Sequence, residues 1–217
     1  MNLLAVDTAL GACSVAVFQG EKILAHHFVE MARGHAEALA PMVDTAMREA
    51  GIGFDALDRL AVTTGPGTFT GQRVGLAFMR GLRVALEKPL TGVTTLEATA
   101  AAASAQDAAR RAAAIHDAKR GEAYLLLWED GRAVLPACVM SFAEAVAGIE
   151  AFGCCALAGT GAEEAADRLG ESFPLTAIRQ PDALWVGRLA MTRPPAREAP
   201  APLYLRAPDA KLPDAPH

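Results

Sequence analysis

One order of elements runs through this chain twice: strand, strand, strand, helix, strand, helix. That repetition limits the available folds more than any single motif does. In the first pass, residues 2–8 (NLLAVDT) form an apolar run ending in Asp7. Residues 14–18 and 22–29 follow after short turns, which predicts a three-stranded antiparallel meander. A helix is predicted over 36–50, with Leu39, Val43, Ala46 and Met47 on one side and Gly51 and Gly53 ending it. Strand 60–64, helix 69–87, strand 90–94 and helix 96–105 complete this half. The second half starts with 112–117, again apolar and again ending in an aspartate, Asp117. Strands 122–129 and 133–140 flank an Asp130-Gly131 hairpin turn. Helix 142–151, strand 154–158, helix 162–169, strand 174–178 and helix 182–191 follow. The pattern implies two structurally repeated α/β lobes, 1–106 and 107–193, without a sequence repeat. Proline is dense from Pro194, so 194–217 is expected to be an extended, partly disordered tail. Leu203-Tyr204-Leu205-Arg206 is an apolar island in that tail, expected to dock on the body.

The most distinctive local motif is TTGPGTFTGQRVG, Thr63 to Gly75, between a strand and a helix. Gly65, Pro66 and Gly67 make the turn, and Thr68 or Thr70 can cap the helix. Backbone N–H groups at such a turn can cradle an anion at a helix N-terminus. The motif lacks the Lys-Ser/Thr of a P-loop, and Thr70 stands where a third glycine of GxGxxG belongs. A ligand cradle and a tight, well-capped structural turn both fit these residues. Gly71 and Gly75 share a helix face with Met79. This spacing suits either packing on the chain's own sheet or close approach of a helix from another subunit.

The chain has 217 residues, of which 52% are hydrophobic, and a net charge of −5. Arg110-Arg111 and Lys119-Arg120 are isolated basic pairs, so direct nucleic-acid binding is not expected. The N-terminal sequence lacks the features of a signal peptide, and no run is long enough to cross a membrane. A cytoplasmic protein without membrane contact is therefore expected. Cys13, Cys138, Cys154 and Cys155 have no CxxC spacing and read as core thiols in a reducing compartment.

Two such lobes, with an aspartate ending the first strand and glycine turns beside a cleft, resemble the actin-like ATPase (ASKHA, RNase H-like) fold. Within it, VDTALGACSVAVFQG, GHAEALAPMVD, GPGTFTGQRVGLAFMRGL, HDAKRGEAYLLLW and the tail PLYLR are similar, in order, to the bacterial TsaB (YeaZ-like) family. The resemblance covers nearly the whole chain, and GPGTFTGQRVG is its most specific part.

This resemblance implies a non-catalytic partner of TsaD, which transfers a threonylcarbamoyl group to adenosine 37 of tRNA. It also implies association with the ATPase TsaE, a homodimer when alone, and only indirect contact with tRNA. In the catalytic relative, two histidines spaced i and i+4 bind a metal. Thr95 and Thr99 stand at those positions here, so no catalytic residue and no metal site are expected. His26, His27, His35 and His116 do not restore such a pair. The cleft would be formed by Asp7, Thr8, Gly65, Pro66, Gly67, Thr68 and Asp117. No cofactor is required, although ATP or ADP could bind at an interface with partners. Asp117, Glu122 and Tyr124 match the family's second-lobe motif without a role assigned to them. The partner interface is expected on His35, Leu39, Val43, Met47, Gly71, Gly75 and Met79. An active kinase or ATPase of the same fold, and less readily a glycoprotease-type peptidase, are the alternative readings.

Overall fold

The computed structural model describes residues 1–106, 110–195 and 198–206. Its first sheet has the order β3-β2-β1-β4-β5, built from β1 (Asn2–Asp7), β2 (Ala12–Gln19), β3 (Lys22–Glu30), β4 (Arg59–Thr63) and β5 (Leu90–Val93). The first three strands are the expected antiparallel meander, and β4 and β5 join in parallel. The second sheet has the order β8-β7-β6-β9, from β6 (Arg111–Lys119), β7 (Glu122–Glu129), β8 (Arg132–Ser141) and β9 (Ala156–Ala158). Here too β6 pairs antiparallel with β7 and parallel with β9. β6 therefore repeats β1, and the two sheets have the same topology.

The second sheet stops one strand short. Residues 174–178, expected as a strand, form only an isolated parallel bridge from Leu175 to Leu157. The Leu157 N–H still donates to the Pro174 carbonyl, and the Thr176 N–H to the Leu157 carbonyl. Pro174 has no N–H of its own to add to a ladder, and Leu175 is left exposed at 44%.

Helices α1 (His35–Ala50) and α2 (Phe69–Leu86) cover one face of the first sheet. Helices α4 (Phe142–Phe152) and α5 (Ala162–Leu169) cover the outer face of the second. Between the sheets lie α3 (Thr95–Ser104) and α6 (Ala183–Met191). They are exchanged: α3, from the first half of the chain, packs on the second sheet, and α6, from the second half, packs on the first. The chain boundary at 106/107 is thus crossed by packing in both directions.

Composition explains the inner layer. α3 is buried all round, as a helix between two sheets must be. Its alanines meet Ala112, Ala114, Ala156 and Ala158, and these small side chains bring helix and sheet close together. α6 approaches as closely at Gly187, where a Cβ would stand 2.2 Å from the Phe18 ring. The tail docks at Leu203, whose N–H donates to the Thr64 carbonyl over 2.8 Å. Residues 196–197 and 207–217 of the expected disordered tail lie outside the described residues.

Candidate functional site

The parallel pairing of β1 with β4 sets Val6 opposite Val62, which brings the next residues, Asp7 and Thr63, together. The Thr63 hydroxyl donates to Asp7 Oδ1, and so does the Ala9 N–H at 3.1 Å. Asp7 Oδ2 is buried and accepts nothing. Burial dominates the electrostatics and pushes the Asp7 carboxyl up to about 7, against the hydrogen bonds from the Thr63 hydroxyl and the neighbouring backbone that pull it down.

Thr8 turns the other way and stitches β1 to α2. Its hydroxyl donates to the Gly71 carbonyl at 2.7 Å and accepts from the Gly75 N–H at 3.0 Å. Thr68 is the helix cap, accepting from the Gly71 N–H at 3.0 Å. The Thr68 N–H in turn donates to the Ala9 carbonyl at 2.8 Å.

Of the two readings of the Gly65-Pro66-Gly67 turn, these contacts fit the tight, well-capped one. A Cβ at Gly67 would lie 2.3 Å from the Ala9 carbonyl oxygen, and one at Gly65 would meet Gln72 Oε1 and the Leu203 carbonyl. The space freed by the glycines is filled by the protein's own atoms. Gly65 also has φ +105°, which a side chain would disfavour. The glycines are required by close packing of the turn against Ala9, Gln72 and Leu203.

The partner face is corrected for a related reason. Leu39 and Val43 are 1% exposed, Met47 3%, Met79 0% and His35 9%; Gly71 and Gly75 are buried. Leu39, Val43, Met47 and Met79 belong to the core between α1, α2 and the first sheet. Gly71 and Gly75 have no side chain because Thr8 occupies the space: a Cβ at Gly75 would stand 2.7 Å from Thr8 Oγ1. The small-residue stripe serves the chain's own sheet.

The second lobe repeats the arrangement with different chemistry. At the end of β6, His116 is buried and fully bonded. Thr99 Oγ1 donates to the Thr95 carbonyl at 2.9 Å, so it accepts from His116 Nε2 at 3.1 Å. His116 Nδ1 accepts from the Thr160 N–H at 3.2 Å. This fixes a neutral imidazole with its proton on Nε2. Burial holds its pKa down to about 4. Asp117 points outward, bonds Lys119 Nζ at 2.6 Å and sits below the usual carboxylate range because of that contact. It is not brought together with Asp7 as a second buried carboxylate.

Thr63, Thr99, His116 and Thr160 were not identifiable as partners from their spacing. The sequence pairs Asp7 with Asp117 as the two strand-ending aspartates, and the structure puts the buried network of the second lobe on His116, one residue earlier. A separate cavity of about 430 Å³ lies where α1 and α2 begin, lined by Arg33, His35, Thr68, Thr70 and Gly71. No group of three or more His, Cys, Asp or Glu placed to hold a metal occurs among the described residues.

Two sheets of one topology, an aspartate ending the first strand, and helices exchanged between the lobes define a protein of the actin-like ATPase fold. Component A of the (R)-2-hydroxyglutaryl-CoA dehydratase of Acidaminococcus fermentans shares that fold, with a TM-score of 0.55 over 88% of this chain and 98% of its own at 10% identity. A family model described as TsaD, tRNA N6-adenosine threonylcarbamoyltransferase, matches residues 23–182. The chain belongs to this family, as a TsaB/YeaZ-like member. It is 39% identical over 124 residues to the tRNA threonylcarbamoyladenosine biosynthesis protein TsaB of Escherichia coli, covering 57% of this chain and 53% of that protein. The match thus spans about half of that relative's length. A Pseudomonas aeruginosa crystal structure described as similar to the peptidase YeaZ superposes with a TM-score of 0.81 at 31% identity, over 94% of this chain and 99% of its own.

Proposed function

We propose that this chain is a non-catalytic subunit of the machinery that makes threonylcarbamoyladenosine in tRNA, acting with a TsaD threonylcarbamoyltransferase and with TsaE. Family membership supports the pathway. The observation that carries the non-catalytic role is the state of Thr95 and Thr99. Both are buried, and the Thr99 hydroxyl is engaged by the Thr95 carbonyl and by His116. A neutral hydroxyl held in that way is a poor metal ligand. In this reading the protein dimerises when alone, touches tRNA only through its partners, and works in the cytoplasm. Among the described residues no helix is long and apolar enough to cross a membrane. If ATP or ADP binds with the partners, the cavity at the starts of α1 and α2 suits its phosphates better than the filled glycine turn does, because helix N-termini favour anions.

Reconstitution tests this reading. The purified chain, mixed with the TsaD homologue of the same organism, is expected to co-elute with it and to raise its transferase activity. Alone, it is expected to show no ATP turnover. Robust turnover abolished by Asp7→Ala would instead support the kinase or ATPase alternative, and failure to associate with TsaD would refute the subunit role.

A further inference from the structure

The PLYLR tail and the KRGEAY hairpin between β6 and β7 lie far apart in sequence. The structure brings them together. The guanidinium of Arg80, on α2, donates to the Pro200 carbonyl, its Nε at 3.2 Å. Pro200 also fills the space beside Gly92 of β5, where a Cβ would lie 2.7 Å from its ring. Three residues on, the Leu203 N–H donates to the Thr64 carbonyl, while the Leu203 carbonyl closes over Gly65. Arg73 Nε donates to the Tyr204 hydroxyl at 2.8 Å, with the Arg73 guanidinium 3.4 Å from the centre of the Phe69 ring. All of these anchors lie on the first lobe.

Arg206 crosses to the other one. Its Nη1 donates to the Ala118 carbonyl at 3.0 Å, and its Nε lies 3.3 Å from Glu122 Oε2. Ala118 and Glu122 flank the β6–β7 turn of the second lobe. The charge of Arg206 also acts on Tyr124, where it opposes the upward push of burial on the phenol. Seven residues of extended chain span about 20 Å, enough to bridge two packed sheets.

We propose that Pro200–Arg206 is a strap between the lobes. It is fixed along the first lobe at Pro200, Leu203 and Tyr204, and it is buckled to the second by Arg206 on Glu122 and the Ala118 carbonyl. The two halves of the chain are also joined by the inner helices and by polar contacts such as Thr99 with His116 and the Gly11 N–H with Gln180 Oε1. The strap adds a charge-assisted hydrogen bond to the Ala118 carbonyl and an ion pair with Glu122, close to the end of β6 that carries His116. Because the buckle is one arginine at a partly exposed site, with one ion pair and one hydrogen bond, it is releasable while the first-lobe anchors stay in place. This gives Glu122 a role that its position in the hairpin does not reveal.

Distance measurement between the lobes tests the strap. Spin labels are placed on exposed positions Arg48 of α1 and Glu150 of α4, with Cys138 and Cys154 replaced by serine in the full-length chain. The parent is expected to give one narrow distance distribution. Arg206→Ala and Glu122→Ala should each broaden it by a similar amount, and the double variant should broaden it no further, with thermal melts confirming that all are folded. A distribution as narrow in Arg206→Ala as in the parent would overturn the proposal. So would additive broadening in the double variant, since the two residues would then act separately. Tyr204→Ala supplies a control that leaves the buckle residues intact: loosening of the first-lobe anchorage should broaden the distribution less than Arg206→Ala does, and the reverse order would also overturn the proposal.

Discussion

Asp7 ends β1 and His116 lies near the end of β6, and both are buried, yet their protons pull stability in opposite directions. The folded chain keeps the Asp7 proton up to about 7, whereas an unfolded carboxyl releases it near 3.8. Asp7 therefore lowers stability as pH rises through that window. His116 does the opposite. The unfolded imidazole takes up a proton near 6.5, but the folded one resists until about 4, so stability is lost as pH falls between them. Each effect amounts to roughly 3–4 kcal/mol at one pKa unit per 1.36 kcal/mol. Over their shared window they largely cancel. Asp7→Asn keeps an acceptor for Thr63 and Ala9 but removes one slope. The variant is expected to gain stability at neutral pH and to lose roughly 3 kcal/mol between about pH 7 and 4.5, read from urea unfolding at the two values. A parent-like pH profile in Asp7→Asn would show that the carboxyl titrates normally.

At the scale of elements, α2 shows what spacing alone hides. Gly71, Gly75 and Met79 form a stripe, and the same stripe fits a foreign helix or the chain's own sheet. Thr8 decides between them, and Thr8 is more than sixty residues away in sequence. Gly75→Leu would drive side-chain atoms into a space where even a Cβ stands 2.7 Å from Thr8 Oγ1. It is expected to destabilise the fold by about 3 kcal/mol or more, with a lower urea midpoint. Ala77→Leu, on the exposed side of the same helix, should change stability by less than about 0.5 kcal/mol. Equal stabilities for the two variants would contradict the packing of α2 described here. α1 carries the same lesson, because an apolar arc of Leu39, Val43 and Met47 signals burial without naming the surface that buries it.

Across the whole molecule, the order of elements was legible because turns, caps and apolar periods are local. The meander, both glycine turns, and the capping of α2 and α4 by Thr68 and Ser141 all follow from neighbouring residues. The apolar run at 174–178 makes a bridge rather than a ladder, because Pro174 at its start has no N–H to add. The exchange of α3 and α6, the His116 network and the crossing of Arg206 to Glu122 depend on long-range contacts that no local pattern records. Membership of the TsaD family is visible in both sequence and structure. If the chain supports threonylcarbamoyl transfer, its depletion from the source organism should lower threonylcarbamoyladenosine in bulk tRNA, quantified by mass spectrometry of nuclease digests. Restoring the chain should bring the nucleoside back. Unchanged levels on depletion, with no second gene of the same kind present, would contradict the account.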